Sequence, residues 1–128
     1  MSAPNILFVF SDQHRYNVMG CAGHDVVQTP NLDKLASEGV RFTNTWCQSP
    51  ICQPSRASII TGRYTHDLGV IHNTGGFDPS WPTVMKQLQA AGYETATVGK
   101  THYHESYQEP NETGKIDMRD KTGFVQEF

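Results

Sequence analysis

The chain holds 128 residues, 37% of them hydrophobic, and carries a formal net charge of -3 with Lys and Arg scattered rather than clustered. One compact domain, or part of one, is expected at this length, and the lack of a basic stripe excludes the usual electrostatic footprint for nucleic acid or an anionic membrane. No apolar run reaches the roughly 20 residues a membrane-spanning helix requires.

NILFVF, from Asn5 to Phe10, is continuously apolar and ends on Ser11-Asp12, the pattern of a strand buried on both faces of a parallel sheet. Residues just past its C-terminal end would stand at the sheet edge where α/β proteins hold ligands. TPNLDKLASEG predicts a short amphipathic helix, with Thr29 as N-cap, Pro30 at the first helical position, Leu32, Leu35 and Ala36 on one face and Gly39 closing it. VRFTNTW, from Val40 to Trp46, alternates and is rich in β-branched and aromatic residues, a second strand. Pro54 opens a second helix that runs through Ile60 and stops at Gly62. WPTVMKQLQAAG, from Trp81 to Gly92, reads as a third helix with Val84, Leu88 and Ala91 on one side, and YETATVG, from Tyr93 to Gly99, as a third strand.

That order predicts an α/β fold with a largely parallel sheet flanked by helices. Beyond His104 the sequence is polar and aperiodic, so residues 105–128 are expected to be irregular. A three-stranded parallel sheet leaves open edges, and the chain reads as the start of something larger. Met1-Ser2-Ala3-Pro4 shows neither a charged n-region nor an apolar h-region, which makes a cytoplasmic location the expectation. The cysteines Cys21, Cys47 and Cys52 are odd in number and unevenly spaced, so a disulfide framework is not expected and at least one thiol is free.

The chemistry concentrates in ICQPSRASIITGRY, from Ile51 to Tyr64. Cys52 stands just ahead of Pro54, at a helix N-terminus, where unpaired N–H groups and the macrodipole favour negative charge. That setting lowers a thiol pKa and seats an oxyanion, while Arg56, a turn further on, can offer a bidentate fork to the same oxygens. The plain alternative is a small buried cysteine and a surface arginine.

Cys52-Gln53-Pro54-Ser55-Arg56, with Thr61-Gly62-Arg63 downstream, resembles the signature of the sulfatase family, in which an activating enzyme oxidises the cysteine to formylglycine. PNILFVFSDQ resembles that family's first strand and its metal-binding Asp, TPNLDKLASEGVRFTNTW the helix and strand that follow, and GYETATVGKTHYH the segment ending in Gly-Lys-x-His. The resemblance runs from Asn5 to about His104 and implies the N-terminal part of a single, alkaline-phosphatase-like sulfatase catalytic domain over residues 1–128.

The roles follow from the resemblance, position by position. Asp12 matches the carboxylate given to a divalent cation, most often calcium with manganese or magnesium as alternatives, and Asp suits a hard cation. Gln13 stands where many sulfatases have a second acid and resembles a branch that includes choline sulfatases and phosphonate monoester hydrolases. Cys52, as formylglycine, would be nucleophile and metal ligand. Arg56, Lys100 and His102 match catalytic positions, with His104 a second choice for the histidine, and Asn73, Lys100 and His102 match groups that hold the anion.

The implied reaction is hydrolysis of sulfate esters, with a small sulfated molecule, the formylglycine-generating enzyme and the rest of the chain as partners. The same anion seat also suits a phosphonate monoester or phosphodiester. From other classes, a thiol or metal-binding module is opposed by the absence of Cys-x-x-Cys or zinc-ligand spacing, and an inert fragment is the expectation if nothing completes the chain.

Overall fold

The computed structural model describes residues 3–102 together with the backbone of 126–127. Two compact units, Met1–Thr45 and Trp46–Phe128, divide the chain.

In the first unit, helix α1 spans Pro30–Glu38 with Thr29 as N-cap and Pro30 at its start, as the proline and cap rules predict. The threonine caps differently from expectation. Its hydroxyl donates to the Asp33 carboxylate at 2.9 Å and accepts from Gly20 N–H at 2.8 Å, while Asp33 also accepts from Cys21 N–H at 2.7 Å. These bonds tie the first turn of α1 to one of two 3₁₀ turns, Gly20–Ala22, which follows another at Tyr16–Val18. The 3₁₀ turns carry no periodic signal and were not expected. A Cβ at Gly20 would push the Asp33 carboxylate out of these bonds.

The Cys21 backbone donor holds the Asp33 carboxyl below its ordinary value of 3.8; partial desolvation opposes this, and the Thr29 hydroxyl and Cys21 thiol add to it. A carboxyl depressed on folding contributes stability above its unfolded pKa and loses it as pH falls through the folded value. We therefore expect the Cys21 amide resonance to shift as the solution is acidified below pH 3.8, and the Asp33→Asn protein to lose that dependence, as read by NMR titration.

Asn5–Phe10 lies outside any strand, contrary to expectation. Leu7 and Val9 are 88% and 79% exposed. A strand buried on both faces needs flanking strands and covering helices, and among the described residues of this unit none pairs with it. Phe8 and Phe10 still stack at 5.9 Å, which keeps the alternate-residue geometry of a strand. Val40–Trp46 is likewise not a strand, and Val40, Phe42 and Trp46 are exposed. Its alternation marks a surface that a ladder would use, but a ladder needs a partner.

In the second unit, α2 spans Cys52–Thr61, α3 Thr65–Leu68 and α4 Val84–Ala90. Strand β1, Ala96–Thr97, pairs in parallel with β2, Gln126–Glu127, in the register Ala96 to Gln126. Only the middle of the predicted Tyr93–Gly99 strand is therefore strand. The core is Ala57, Ile60, Leu68, Val70, Phe77 and Met85, with Trp81 packed against it.

Helix α4 is shorter than predicted at both ends. The Trp81 amide closes a turn onto Asp78 O at 3.0 Å, and Thr83 takes the N-cap by accepting from Lys86 N–H at 3.2 Å, so the helix starts only at Val84. Its buried residue is Met85, whereas Val84 is exposed. The helical face is thus turned one residue from the expected one. Helix α3 was not foreseen, being a single turn between Tyr64 and the left-handed Gly69. The remainder of the expected irregular segment 105–128 lies outside the described residues.

Candidate active site

Helix α2 builds the site. It begins at Cys52 rather than Pro54, with Ile51 as N-cap, and ends at Gly62 in the left-handed conformation with φ 68°. Pro54 occupies the first turn, where a missing N–H costs nothing. Gln53, Arg56, Ala57 and Ile60 are all buried and recur at the spacing of one helical face. The N-terminal half of that face is polar and its C-terminal half apolar. Ala57 and Ile60 anchor the helix in the core, while Gln53 and Arg56 face loops that come from further along the chain.

Each loop is held by a named bond. The Gln53 N–H donates to Asn73 Oδ1 at 3.0 Å and its side-chain amide donates to Gly75 O at 2.6 Å. Arg56, 5% exposed, donates from Nη1 to Lys100 O at 2.5 Å. Cys52 is half-buried, Asn73 and Lys100 are exposed, and His102 is half-buried. Asn73 and the Lys100 main chain are thus bonded to the first two turns of α2, the helix that carries Cys52 and Arg56, and His102 follows two residues after Lys100. His104 lies outside the described residues.

The arrangement revises the anion seat expected from a bare helix end. Pro54 has no N–H and the Gln53 N–H is engaged by Asn73, so two of the three residues opening α2 have no amide N–H to offer an anion. Asn73 was read as an anion-facing residue, and its carboxamide oxygen also caps the helix. Arg56 was read as a fork aimed at substrate, and one of its nitrogens donates to the main-chain carbonyl of Lys100. Sequence reasoning missed Gln53 altogether. Its signal was a polar residue on the same helical stripe as Ala57 and Ile60.

The downstream Thr61-Gly62-Arg63 is architectural. Thr61 Oγ1 donates to Ala57 O at 2.7 Å, Gly62 N–H to Ser58 O at 2.8 Å, and Arg63 lies 4.2 Å from the Trp81 ring centroid. All three cysteines are free thiols.

Asp12 and Gln13 lie together in a turn of the first unit, both exposed. Gln13 has φ 56° and His102 φ 51°, and these are the non-glycine residues with left-handed backbone among the described residues. Such backbone costs on the order of 1–3 kcal/mol and persists where surrounding structure enforces it. Both had been singled out from the sequence as site residues.

Among the described residues no group of three His, Cys, Asp or Glu side chains is disposed to hold a metal. Asp12 and Gln13 offer one carboxylate and one amide oxygen, donors of the right hardness for calcium but short of its six to eight ligands. The donor type fits such a cation, and the pair alone is too few to hold one. No helix of the described residues is long and apolar enough to cross a membrane.

Comparison with known proteins places these features in a family. A sequence profile described as Sulfatase matches residues 4–126. The chain is 43% identical over 99 residues to the N-acetylglucosamine-6-O-sulfatase of Bacteroides thetaiotaomicron, a match covering 77% of this chain and 18% of that protein. It superimposes with a TM-score of 0.76 and 42% identity on a protein solved in complex with its substrate D-glucosamine-2-N,6-O-disulfate, covering 80% of this chain and 21% of that one. The phosphonate monoester hydrolase of Agrobacterium radiobacter matches with a TM-score of 0.71 at 28% identity, over 91% of this chain and 24% of the other. The chain thus spans about a fifth of the length of the relatives it matches. The neighbours carry the alkaline-phosphatase-like α/β fold, so the α/β reading of the sequence stands although most of the expected strands are not paired here. With the family profile matched from residue 4 to residue 126 around the Cys52-to-Arg56 motif, the chain belongs to the sulfatase family.

Proposed function

We propose that these 128 residues are the N-terminal part of a longer catalytic domain that hydrolyses sulfate esters, with Cys52 as the precursor of its nucleophile. The observation that carries the reading is the first turn of α2, which joins Cys52 to Asn73 and to the Lys100 main chain through Gln53 and Arg56. A sulfate ester resists attack because its anionic oxygens repel nucleophiles, so the catalyst must neutralise charge and align the reacting atoms.

Oxidised to formylglycine and hydrated, position 52 supplies two hydroxyls on one carbon, one to attack sulfur and one to expel sulfate and restore the aldehyde. Asp12 and Gln13 would be among the ligands of a divalent cation, which would supply positive charge to the reaction. The other steps belong to this chain's own groups. The Cys52 amide and the α2 dipole favour the anion, Lys100 and Asn73 donate to its oxygens, and His102 exchanges the proton between position 52 and the departing alcohol. Arg56 fixes the Lys100 main chain while its charge adds to the anion's surroundings. A thiol or metal-binding module finds no support in this arrangement.

Gln13 in place of a second acid leaves one negative charge fewer beside the cation, so the site keeps more net positive charge for an anionic ester, and singly charged sulfate and phosphonate esters should be held alike. The likeness to a 6-O-sulfatase supports a sugar sulfate as the natural substrate class. The test is kcat/KM of the complete, converted enzyme for an aryl sulfate, an aryl phosphonate and an aryl phosphate. Sulfate is expected first, the phosphonate measurable, and the dianionic phosphate at least about 100-fold lower, the equivalent of roughly 2.7 kcal/mol. Preference for the phosphonate would favour the phosphonate monoester hydrolase reading, which the Agrobacterium likeness also supports. Preference for the dianion would overturn sulfate esters as the substrate class.

A further inference from the structure

Resting on the hydrolase reading above, we propose that Gln53 is a positioning residue, which latches the Asn73–Gly75 loop to the first turn of α2 and so fixes where the Asn73 amide meets the ester anion. Gln53 is 1% exposed, and it makes two bonds to a loop more than 19 positions away in sequence: its N–H to Asn73 Oδ1 at 3.0 Å and its Nε2 to Gly75 O at 2.6 Å. A backbone N–H can only donate, so the bond fixes the oxygen of Asn73 toward the helix and leaves Nδ2, the donor end, for an anion. Gly75 has φ 82°, a conformation glycine adopts without strain, which lets the loop turn its carbonyl to Gln53.

A buried amide costs free energy unless hydrogen-bonded, and the positions that follow on the same face, Ala57 and Ile60, are apolar. An apolar residue at position 53 would pack the helix equally well. The amide serves the loop, because its Nε2 bonds the Gly75 carbonyl. The consequence is that the residue next to the nucleophile's precursor also sets the geometry of substrate binding.

The test uses the complete, converted protein with Gln53→Met, Asn73→Ala and both changes, with rates for 4-nitrophenyl sulfate expressed per converted residue 52 as measured by mass spectrometry. Gln53→Met keeps shape and removes the side-chain donor. It is expected to raise KM about tenfold, the value of one hydrogen bond, with kcat changed less than about threefold, and to speed amide hydrogen exchange in a peptide covering residues 72–77. In the Asn73→Ala background the same change should cost less than about twofold, since coupled residues are not additive. Additive losses, or unchanged exchange in the loop, would overturn the proposal.

Should Gln53→Met fail to fold, Gln53→Glu serves: its neutral acid can donate to Gly75 O and its carboxylate cannot. Loop exchange, corrected for intrinsic rates, should approach the parent's as pH falls through the carboxyl pKa, and pH-independent behaviour would overturn the latch. A parent that cleaves no sulfate or phosphorus ester would instead overturn the hydrolase reading, and the exchange data would still decide whether Gln53 holds the loop.

Discussion

Cys52→Ala in the complete chain, produced alongside the oxidising enzyme, is expected to hydrolyse aryl sulfates more slowly than the converted parent by roughly 10⁴-fold or more, the scale seen when a covalent nucleophile is removed. Its thermal midpoint should stay close to the parent's. Cys52 is half-buried at the first position of α2, where alanine is well tolerated and where the stabilising bonds of the neighbourhood run through Gln53 and Arg56 instead. The loss would therefore be chemical, not structural. Cys52→Ser should fall with it: a serine hydroxyl can attack sulfur once, but it leaves no second hydroxyl to expel sulfate. The measurement is single-turnover and steady-state kinetics, with mass spectrometry of the peptide containing residue 52. Turnover near the parent's in Cys52→Ala would remove position 52 from the chemistry altogether.

The elements that were legible in the sequence are those decided within a few residues. Thr29, Pro30 and Gly39 bracket α1, and Gly62 closes α2 in a left-handed turn, because capping and proline rules act locally. The strands were not legible as paired structure. NILFVF has the composition of a buried strand, but a ladder is made by a partner distant in sequence, and composition does not provide one. The same division runs through the site. Cys52, Arg56, Asn73, Lys100 and His102 were named from motif and resemblance, yet what Arg56 and Asn73 touch depends on contacts spanning 44 and 20 positions. Local spacing placed Arg56 over the anion; the fold gives part of its hydrogen-bonding capacity to a carbonyl. Gln53 carried no resemblance at all, and its role emerges only when the buried face of α2 is laid against the loops.

The second large effect is expected at Arg56, and it combines stability with function. Arg56→Ala should lower folding stability by about 2–4 kcal/mol, since a charged hydrogen bond contributes roughly 1.5–3 kcal/mol and the buried side chain leaves lost packing behind. Arg56 is 5% exposed, and its bond to Lys100 O at 2.5 Å attaches the Lys100–His102 segment to α2. His102 holds a left-handed backbone at φ 51°, which survives only while the surroundings enforce it; with the Lys100 carbonyl released, that residue should relax and its imidazole should lose its present placement. Loss of kcat/KM should then exceed what unfolding explains, at temperatures where the variant is still folded by circular dichroism. Arg56→Lys separates geometry from charge. It keeps the cation, but an ammonium lacks the planar fork that can bond a carbonyl and face an anion at once, so partial recovery of stability with little recovery of kcat is expected. If Arg56→Lys restored both in full, a point charge would suffice, and the carbonyl tether would have no part in placing Lys100 and His102.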